Sequence, residues 1–260
     1  MRRRKNGRRA LWTFAGVVAA GLLIWMILAT RVFVIARIDV IGAGDAAAEV
    51  SRLSGIRLGA RMRSVDEAQV RVGVESNGRF AFEGLEKRYP NVIQLTVRYR
   101  TEDAMISQGG KVIVLDSDAY VISVSDQVPE KSMPYVTGLR PMGYTVGRQL
   151  DTGDGRCAAM KVVLEAVRYH NAWRYVSELS VANLDALTIT SRTGIIVQLG
   201  DQQNMNNKIL WMVGALADLE SRGEVAGRLD VSSGIMADFR PASLDAAAAP
   251  AAGIGEGYGS

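Results

Sequence analysis

The hydrophobic pattern of the chain changes sharply after residue 30. Ala10–Thr30 form an uncharged run in which apolar side chains predominate. About 20 apolar residues in a helix span the ~30 Å hydrocarbon core of a bilayer. Beyond this run, apolar and charged residues alternate over Arg37–Val40, which is typical of a half-exposed strand. We therefore predict a transmembrane helix at residues 10–30, followed by a folded region of short strands and helices.

The charges that flank the apolar run predict its orientation. Six arginines and lysines precede it within MRRRKNGRR, whereas only Arg31 and Arg37 follow it closely. An excess of positive charge marks the cytoplasmic side, so residues 1–9 are predicted to be a cytoplasmic tail and the bulk of the chain periplasmic. A cleaved signal peptide shares the basic start, but its apolar core is usually shorter and is followed by small residues. The bulky residues Trp25–Leu28 favour an uncleaved anchor.

The charge of the remaining chain limits the classes of partner. The formal net charge is +4, from 31 basic and 27 acidic residues. Removing the six basic residues of the tail leaves 25 basic against 27 acidic residues, so the body carries about −2. A nucleic-acid-binding domain needs a basic patch on its folded surface. The composition therefore predicts no nucleic-acid partner, and the basic tail predicts contact with the lipid bilayer.

Residues 32–101 predict a compact domain with the order β-α-α-β-β. A strand over Val32–Ile41 is followed by a helix at Ala46–Leu53 and by a second helix that begins with a capping box at Ser64. Two further strands, Phe80–Lys87 and Val92–Tyr99, flank a turn. Alternation and helical spacing predict that Ile38, Val40, Leu53, Ile93, Leu95 and Val97 face the sheet or the core.

Residues 105–241 predict a second domain of several strands and two helices. Its β-like runs are Lys111–Leu115, Tyr120–Val124, Asp185–Ser191, Gly194–Leu199 and Gly227–Val231. A helix over Lys208–Leu219 has an apolar face that is expected to pack on the sheet. Residues 242–260 are rich in Ala and Gly and are predicted to be a disordered tail. The predicted fold class is α+β: a single transmembrane helix, the β-α-α-β-β domain, and a mixed, mainly antiparallel β domain with helices.

Residues that could carry chemistry are sparse. Cys157 and His170 are the only residues of their types, which excludes an internal disulfide and any metal site with two histidines. His170 lies at the C-terminal end of a helical run, where a histidine interacts favourably with the helix dipole. Asp116 and Asp118 are expected to form a turn rather than a metal site, because no third ligand accompanies them. We therefore predict no catalytic residue and no metal site.

One loop carries the spacing of a cofactor-binding motif. Gly42, Gly44 and Ala47 match the dinucleotide fingerprint G-x-G-x-x-A. The first strand of a dinucleotide-binding domain is buried on both faces, whereas charged residues alternate with apolar ones here. Asp45 would also repel a pyrophosphate in this loop. We interpret the segment as a strand, a turn and a helix, and we predict that the protein binds no cofactor.

Several segments behind the apolar run match known motifs in a fixed order. The pattern P-x-x-[IL]-x-[IL]-x-V-x-E-R-x-P-x-A is matched at Pro90, Ile93, Leu95, Val97, Arg100 and Ala104, with Tyr99 and Glu102 as departures. Later segments of this kind are Val114–Asp116, Met133–Gly138, Gly194–Gly200 and Gly227–Val231. In this order the segments resemble the FtsQ/DivIB family of bacterial division proteins, although Ala119 stands where the family usually has a glycine. The resemblance covers residues 1 to about 241 and implies that residues 32–101 are a POTRA domain.

The resemblance implies a non-catalytic protein of the cell inner membrane that is located at the division septum. Its implied partners are FtsB and FtsL-type division proteins and other divisome proteins, with no small-molecule substrate. Two alternatives remain open: another POTRA-type envelope assembly or secretion factor, and an anchored enzyme that acts on the cell wall. A catalytic constellation would favour the enzyme, and the sequence shows no credible one.

Within the family, the end of the second domain's sheet receives FtsB, which directs attention to Leu229–Pro241. We predict that this segment is the final strand and a sheet edge that is open to an added strand. Phe239 is its one aromatic residue, and aromatic and Arg side chains are enriched among binding hot spots. The alternative is that Phe239 only closes the core. The predicted partner-binding residues are Ser233, Gly234, Met236, Phe239 and Arg240.

Overall fold

The computed structural model describes residues 5–29, 33–129 and 133–242. The chain divides into two compact units, residues 1–99 and residues 100–260. Five parts of the sequence predictions lie outside the described residues: residues 1–4 of the cytoplasmic tail, residue 30 of the transmembrane helix, residue 32 of the first predicted domain, residues 130–132 of the β domain, and residues 243–260 of the C-terminal tail.

The first helix, α1, spans Lys5–Ala29. It begins before Ala10, inside the segment predicted to be a tail. The side chains over residues 12–25 are exposed, among them Trp12 and Trp25. Among the described residues, no helix combines the length and the apolar character that crossing a membrane requires. The transmembrane helix at residues 10–30 therefore stays a prediction.

A three-stranded sheet and two helices form the rest of the first unit. The strands β1 (Arg37–Ile41), β2 (Phe80–Arg88) and β3 (Val92–Tyr99) lie in the order β1-β3-β2, with β1 parallel and β2 antiparallel to β3. Helices α2 (Ala47–Leu53) and α3 (Glu67–Glu75) lie between β1 and β2 in the chain. The observed order is β-α-α-β-β, as the hydrophobic pattern predicts.

The core of the first unit contains the apolar residues that alternation places there. Three residues of the central strand β3 are buried, Ile93, Leu95 and Val97. Three residues from the edge strand and from α2 are half-buried against the same core, Ile38, Val40 and Leu53. The central strand is the more deeply buried because strands flank it on both sides.

The start of α3 differs from the sequence prediction. Ser64 lies in a 3-10 turn, where its hydroxyl donates to the carbonyl oxygen of Arg61 at 2.7 Å. The N-cap is Asp66, whose side chain accepts a hydrogen bond from the backbone N–H of Ala68 at 2.9 Å. A carboxylate at this position satisfies a free helix N–H and favours the positive end of the helix dipole. Asp66 rather than Ser64 therefore begins the helix.

Close packing explains the glycine-rich loop after β1. Gly42 has a φ of +90°, and a Cβ atom there would lie 1.8 Å from the carbonyl oxygen of Val97. The Tyr99 hydroxyl donates to the carbonyl oxygen of Ala43 at 2.9 Å. Only glycine fits where β3 approaches the loop so closely, so the G-x-G spacing has a structural cause.

Within the described residues, the second unit is built on a nine-stranded sheet. Its strands are β4 (Ala104–Gln108), β5 (Lys111–Leu115), β6 (Val121–Ser125), β7 (Tyr135–Thr137), β8 (Val176–Ser180), β9 (Leu187–Ser191), β10 (Ile196–Gly200), β11 (Gly227–Asp230) and β12 (Asp238–Pro241). Their spatial order is β12-β11-β10-β9-β8-β7-β4-β5-β6. The pairs β4–β7, β7–β8 and β10–β11 are parallel, and the other pairs are antiparallel. Mixed sheets with helices confirm the predicted α+β class.

Two helices, α4 (Arg156–Tyr169) and α5 (Met205–Ser221), pack with one face of this sheet around a single core. The alternate strand residues Leu179, Ile189 and Val197 are buried in that core. The helix predicted over Lys208–Leu219 is confirmed, and it is longer at both ends.

A buried ion pair joins the chain segment before β4 to the end of β5. A guanidinium nitrogen of Arg100 lies 2.6 Å from a carboxylate oxygen of Asp116, and the two side chains are 2% and 3% exposed. The guanidinium also lies over the Tyr120 ring, 3.7 Å from its centroid. The other Asp116 oxygen accepts from the backbone N–H groups of Asp118 and Tyr120 at 2.9 and 2.8 Å. Asp116 therefore forms the turn that the sequence predicts, and it binds an arginine as well.

A second ionic contact lies beside this pair. Asp103 is buried and accepts from the backbone N–H of Ser117 at 2.9 Å. The Arg168 side chain of α4 donates to Asp103 and to the Ser117 hydroxyl. Helix α4 is thus joined by an ion pair to the residue before β4 and by a hydrogen bond to the β5–β6 turn.

A buried lysine holds the start of α5. The Lys208 ammonium group is 3% exposed and lies 2.9 Å from the carbonyl oxygen and 2.8 Å from a carboxylate oxygen of Asp201. The hydrogen bond from Lys208 lowers the pKa of the Asp201 carboxyl below its ordinary value.

We expect Asp116→Asn to lower the free energy of unfolding by about 3–5 kcal/mol, because it removes the carboxylate charge that lies 2.6 Å from the buried Arg100 guanidinium. The matched control is Asp126→Asn, which breaks an exposed ion pair with Lys111 and should lower the free energy of unfolding far less, because solvent screens the pair. Urea unfolding followed by circular dichroism would measure both values. Similar losses in the two variants would show that burial of the pair does not matter.

We expect Asp201→Asn to lower the Tm at neutral pH, because the buried Lys208 loses its carboxylate. Since the folded-state pKa of Asp201 is depressed, its stabilising effect is present above its ordinary pKa of 3.8 and is lost as the pH falls through the folded-state value. The difference in Tm between wild type and variant should therefore shrink in acid. Asp185→Asn, at an exposed carboxylate, is the control, and a difference that is constant with pH would contradict the argument.

Candidate partner-binding edge

The segment that was predicted to be one final strand is a hairpin. Strand β11 ends at Asp230, β12 begins at Asp238, and the two pair in antiparallel fashion. The chain turns because an Asp230 carboxylate oxygen accepts from the backbone N–H of Ser232 at 2.8 Å, which forms an Asx turn. Gly234 follows with a φ of +70°. The prediction of a single strand over Leu229–Pro241 was wrong, because this local hydrogen bond interrupts it.

The two strands of the hairpin approach each other closely at Gly227. A Cβ atom at Gly227 would lie 2.5 Å from the carbonyl oxygen of Arg240 and 2.7 Å from two ring atoms of Phe239. The absence of a side chain therefore lets the Phe239 ring lie over the backbone of β11.

Strand β12 is the last strand of the sheet, and the main-chain groups on its outer side have no strand partner among the described residues. The backbone N–H of Ala242 donates to the carbonyl oxygen of Ala226 at 3.4 Å. Because hydrogen-bonded and non-hydrogen-bonded pairs alternate along an antiparallel ladder, the observed register turns the N–H and C=O of Phe239 outward. Pro241 occupies the next outward position, where an edge strand tolerates a residue without an N–H.

Phe239 lies on the helix-covered side of the sheet. It is paired with Leu229, which is fully buried, and paired residues share a face. The Phe239 ring packs against the core but is only half-buried. Phe239 therefore contributes to the core and also presents apolar surface at the sheet edge.

Charged side chains form two like-charged rows on the opposite face of the hairpin. Arg228 is opposite Arg240, and Asp230 is opposite Asp238. Like charges directly opposite each other on a sheet are unfavourable. Arg240 and Asp238 approach each other along the strand at 3.7 Å, but their side chains are 72% and 60% exposed, so solvent weakens their attraction. A partner with the complementary charges could neutralise both rows.

The loop between the strands contains the other predicted residues. Ser233 and Met236 are exposed, whereas Gly234 is buried and faces the Lys208 stem, where a Cβ would lie 3.6 Å from the lysine Cγ. Ile235, which was not predicted, is 75% exposed. The structure thus brings Phe239 and Arg240 together on β12, places Ser233 and Met236 in the loop, and buries Gly234.

Sequence reasoning missed Arg228 and Asp238, the charged neighbours of Arg240. Their signal is the mirrored sequence Arg-Leu-Asp and Asp-Phe-Arg at 228–230 and 238–240. In an antiparallel hairpin such a mirror brings like charges opposite each other, but only when the turn gives this register.

The cysteine and the histidine lie on or next to α4 rather than on this edge. The Cys157 thiol is half-buried, and burial raises its pKa, which disfavours the reactive thiolate. His170 follows the last turn of α4, and its Nε2 is buried without a hydrogen-bond partner in the described structure. Within residues 5–29, 33–129 and 133–242, no group of three or more His, Cys, Asp and Glu side chains could hold a metal ion.

No family model matches the chain. The chain is 21% identical over 165 residues to the cell division protein DivIB of Clostridium tetani (strain Massachusetts / E88), and the aligned part covers 63% of this chain and 62% of that protein. The chain therefore spans less than two thirds of the length of the curated relative. This similarity confirms the resemblance to the FtsQ/DivIB family of bacterial division proteins that the sequence motifs predict.

Proposed function

We propose that this protein is a non-catalytic scaffold of the divisome that recruits FtsB and FtsL-type partners through strand β12. The name of its relative, a cell division protein, supports the division role. The observation that supports the binding site is the outer edge of β12, which pairs with no strand among the described residues and carries a half-buried aromatic side chain on one face and exposed charges on the other.

The main chain of β12 supports binding by strand addition. The N–H and C=O of Phe239 point outward. A strand of the partner can pair with these groups, because main-chain bonds give affinity in this mode and side-chain pockets give specificity. Pro241 offers no N–H, so donor pairing ends before it and the added strand is short.

The side chains of β12 define the strand that fits it. An added strand would meet Phe239 on one face of the sheet and both Asp238 and Arg240 on the other. We infer that the partner strand carries an apolar residue between a basic and an acidic one, since Asp238 favours a cation and Arg240 a carboxylate. The exposed Ile235 and Met236 supply a further apolar contact.

The membrane topology is part of the proposal. The uncharged run over residues 10–30 and the basic residues ahead of it support a single-pass anchor in the cell inner membrane, with the N-terminus in the cytoplasm. The exposed apolar side chains of α1 are better covered by lipid than by water. In this proposal residues 1–9 are cytoplasmic, residues 32–101 are a periplasmic POTRA domain, residues 105–241 are the partner-binding β domain, and the protein lies at the septum.

We expect Arg240→Glu to weaken binding of the purified FtsB and FtsL-type pair about tenfold or more, because it extends the acidic row and repels the carboxylate of the partner. The Arg240 side chain is 72% exposed, so the Tm should stay close to that of the wild type. Isothermal titration calorimetry with the full-length protein in detergent, at low and high salt, would measure the effect. Salt should weaken wild-type binding more than binding by the variant.

The matched control for this measurement is Arg140→Glu, which reverses another exposed arginine of the second unit. The control should bind as the wild type does. Equal losses of affinity in the two variants would show that only the net charge of the protein matters. Unchanged binding by Arg240→Glu would contradict the proposal that β12 is the binding edge.

We expect Phe239→Ala to weaken the same binding by about 2 kcal/mol or more and also to lower the Tm, because the ring packs against the core. Phe239→Leu retains apolar contact with the core and should stay near the wild-type Tm while losing part of the affinity. Calorimetry and thermal unfolding on both variants separate the two roles. If Phe239→Leu binds as tightly as the wild type, the ring only closes the core.

A further inference from the structure

A second charged surface lies in the first unit, close to the point where the chain leaves α1. Residues 54–65 contain Arg57, Arg61 and Arg63 and no acidic residue. All three arginines are exposed, and no ion pair joins any of them to another side chain in the part of the chain that the structure describes. This segment, the arginine loop, therefore presents three positive charges without counter-charges.

The arginine loop is held in place by its backbone and by one buried side chain. The backbone N–H of Ile35 donates to the carbonyl oxygen of Ala60 at 2.9 Å, and the N–H of Gly59 donates to the carbonyl oxygen of Ile35 at 2.8 Å. Met62, between two of the arginines, is 1% exposed and packs in the core. The arginines thus project from an ordered segment, and little ordering is needed before they bind.

Apolar and aromatic side chains accompany these charges. Leu58, within the arginine loop, is 64% exposed. On the other side of the Ile35 segment, the backbone N–H of Ala36 donates to the carbonyl oxygen of Asn91 at 2.8 Å. There the Phe33 and Tyr89 rings meet edge to face with centroids 5.7 Å apart, and Tyr89 is 67% exposed.

Chain connectivity keeps this surface near the end of α1. Helix α1 ends at Ala29, and Phe33 follows four residues later. Because an extended chain spans at most about 3.6 Å per residue, their Cα atoms can be no more than about 15 Å apart. The arginine loop is bonded to Ile35, so it cannot lie far from the helix end.

We propose that Phe33, Tyr89, Leu58 and the three arginines dock on the anionic phospholipid headgroups of the membrane that holds α1. The proposal rests on the anchored topology proposed above. Guanidinium groups bind phosphate oxygens through paired hydrogen bonds, and tyrosine is enriched at the level of the headgroups. An apolar patch alone does not distinguish a bilayer from another apolar partner. An ordered basic loop with an exposed leucine, close to a membrane helix, matches the bilayer surface in both charge and polarity.

The acidic residues nearest in sequence to the arginine loop are Glu49, Asp66 and Glu67. Glu49 is paired with Arg79 at 3.4 Å, and Asp66 caps α3 through the N–H of Ala68. In the part of the chain that the structure describes, none of the three is paired with an arginine of the loop, so the guanidinium groups are available to the phosphates of the bilayer.

The test uses the full-length chain in bilayers, with Cys157→Ser and a bimane label attached through Leu58→Cys. The bilayers are phosphatidylcholine alone or phosphatidylcholine mixed with phosphatidylglycerol, and each contains a lipid with a spin-labelled headgroup as quencher. We expect stronger quenching with phosphatidylglycerol. Because each arginine near an anionic surface contributes about a fivefold change in binding, converting all three to glutamine should reduce docking on the order of 100-fold.

The matched control converts three exposed arginines of the second unit to glutamine, namely Arg140, Arg148 and Arg222. In this control the bimane label should be quenched as strongly as in the labelled protein that keeps all its arginines. Alkaline carbonate extraction of the same proteoliposomes reports the anchor separately. If carbonate extracts the protein from the bilayer, the proposed anchor is wrong, and the docking proposal is wrong with it. A chain that is retained, but whose quenching depends neither on phosphatidylglycerol nor on the loop arginines, overturns the docking alone.

Discussion

The second unit depends on two charges that have almost no access to water. Arg100 and Asp116 are paired at 2.6 Å with side chains 2% and 3% exposed, and either one alone would cost several kcal/mol to bury. The pair fixes the chain that precedes β4 against the end of β5. The same carboxylate receives two backbone N–H groups of the following turn, and this turn holds Ala119 at a φ of +64° before β6 begins. Two segments that resemble family motifs thus meet in one ionic contact.

From this corner the sheet extends through successive strands to β12 at its far edge. Its helix-covered face is continuous, because the alternate residues Leu179, Ile189, Val197 and Leu229 are all buried. Among the described strands, that row ends at Phe239, which has a neighbouring strand on only one side. The half-burial of Phe239 is therefore a consequence of sheet order: the residue has a core position, but no further strand of the described sheet covers it.

The sequence predicts the elements whose signal is local. Strand β5 was predicted with its observed bounds because its apolar run is buried and ends at a turn. Strands β7 and β8 were not predicted, since β7 has three residues and Ser and Glu interrupt β8; both are held by parallel pairing with strands distant in sequence. At the candidate site the sequence pointed to Phe239 and Arg240. The positions of Arg228 and Asp238 relative to Arg240 depend on the register of the β11–β12 pair. That register follows from the Asx turn at Asp230, and the sequence pattern alone does not specify it.

The treatment of charge separates the interior of this protein from its proposed working surfaces. Inside the second unit, Arg100 and Lys208 each have a carboxylate within hydrogen-bond distance. Two surface regions lack this pairing of opposite charges. In the β11–β12 hairpin, arginine lies opposite arginine and aspartate opposite aspartate. The arginine loop has no carboxylate among its residues. Water tolerates such charges at little cost, so folding does not require their arrangement. Each arrangement nevertheless suits a specific complement, an alternating charged strand in the first case and a layer of phosphates in the second. Both lie beside groups that no described residue covers, the outer edge of β12 and the exposed Leu58. This coincidence of exposed charge with uncovered apolar or main-chain groups is the reason for proposing each as a binding surface.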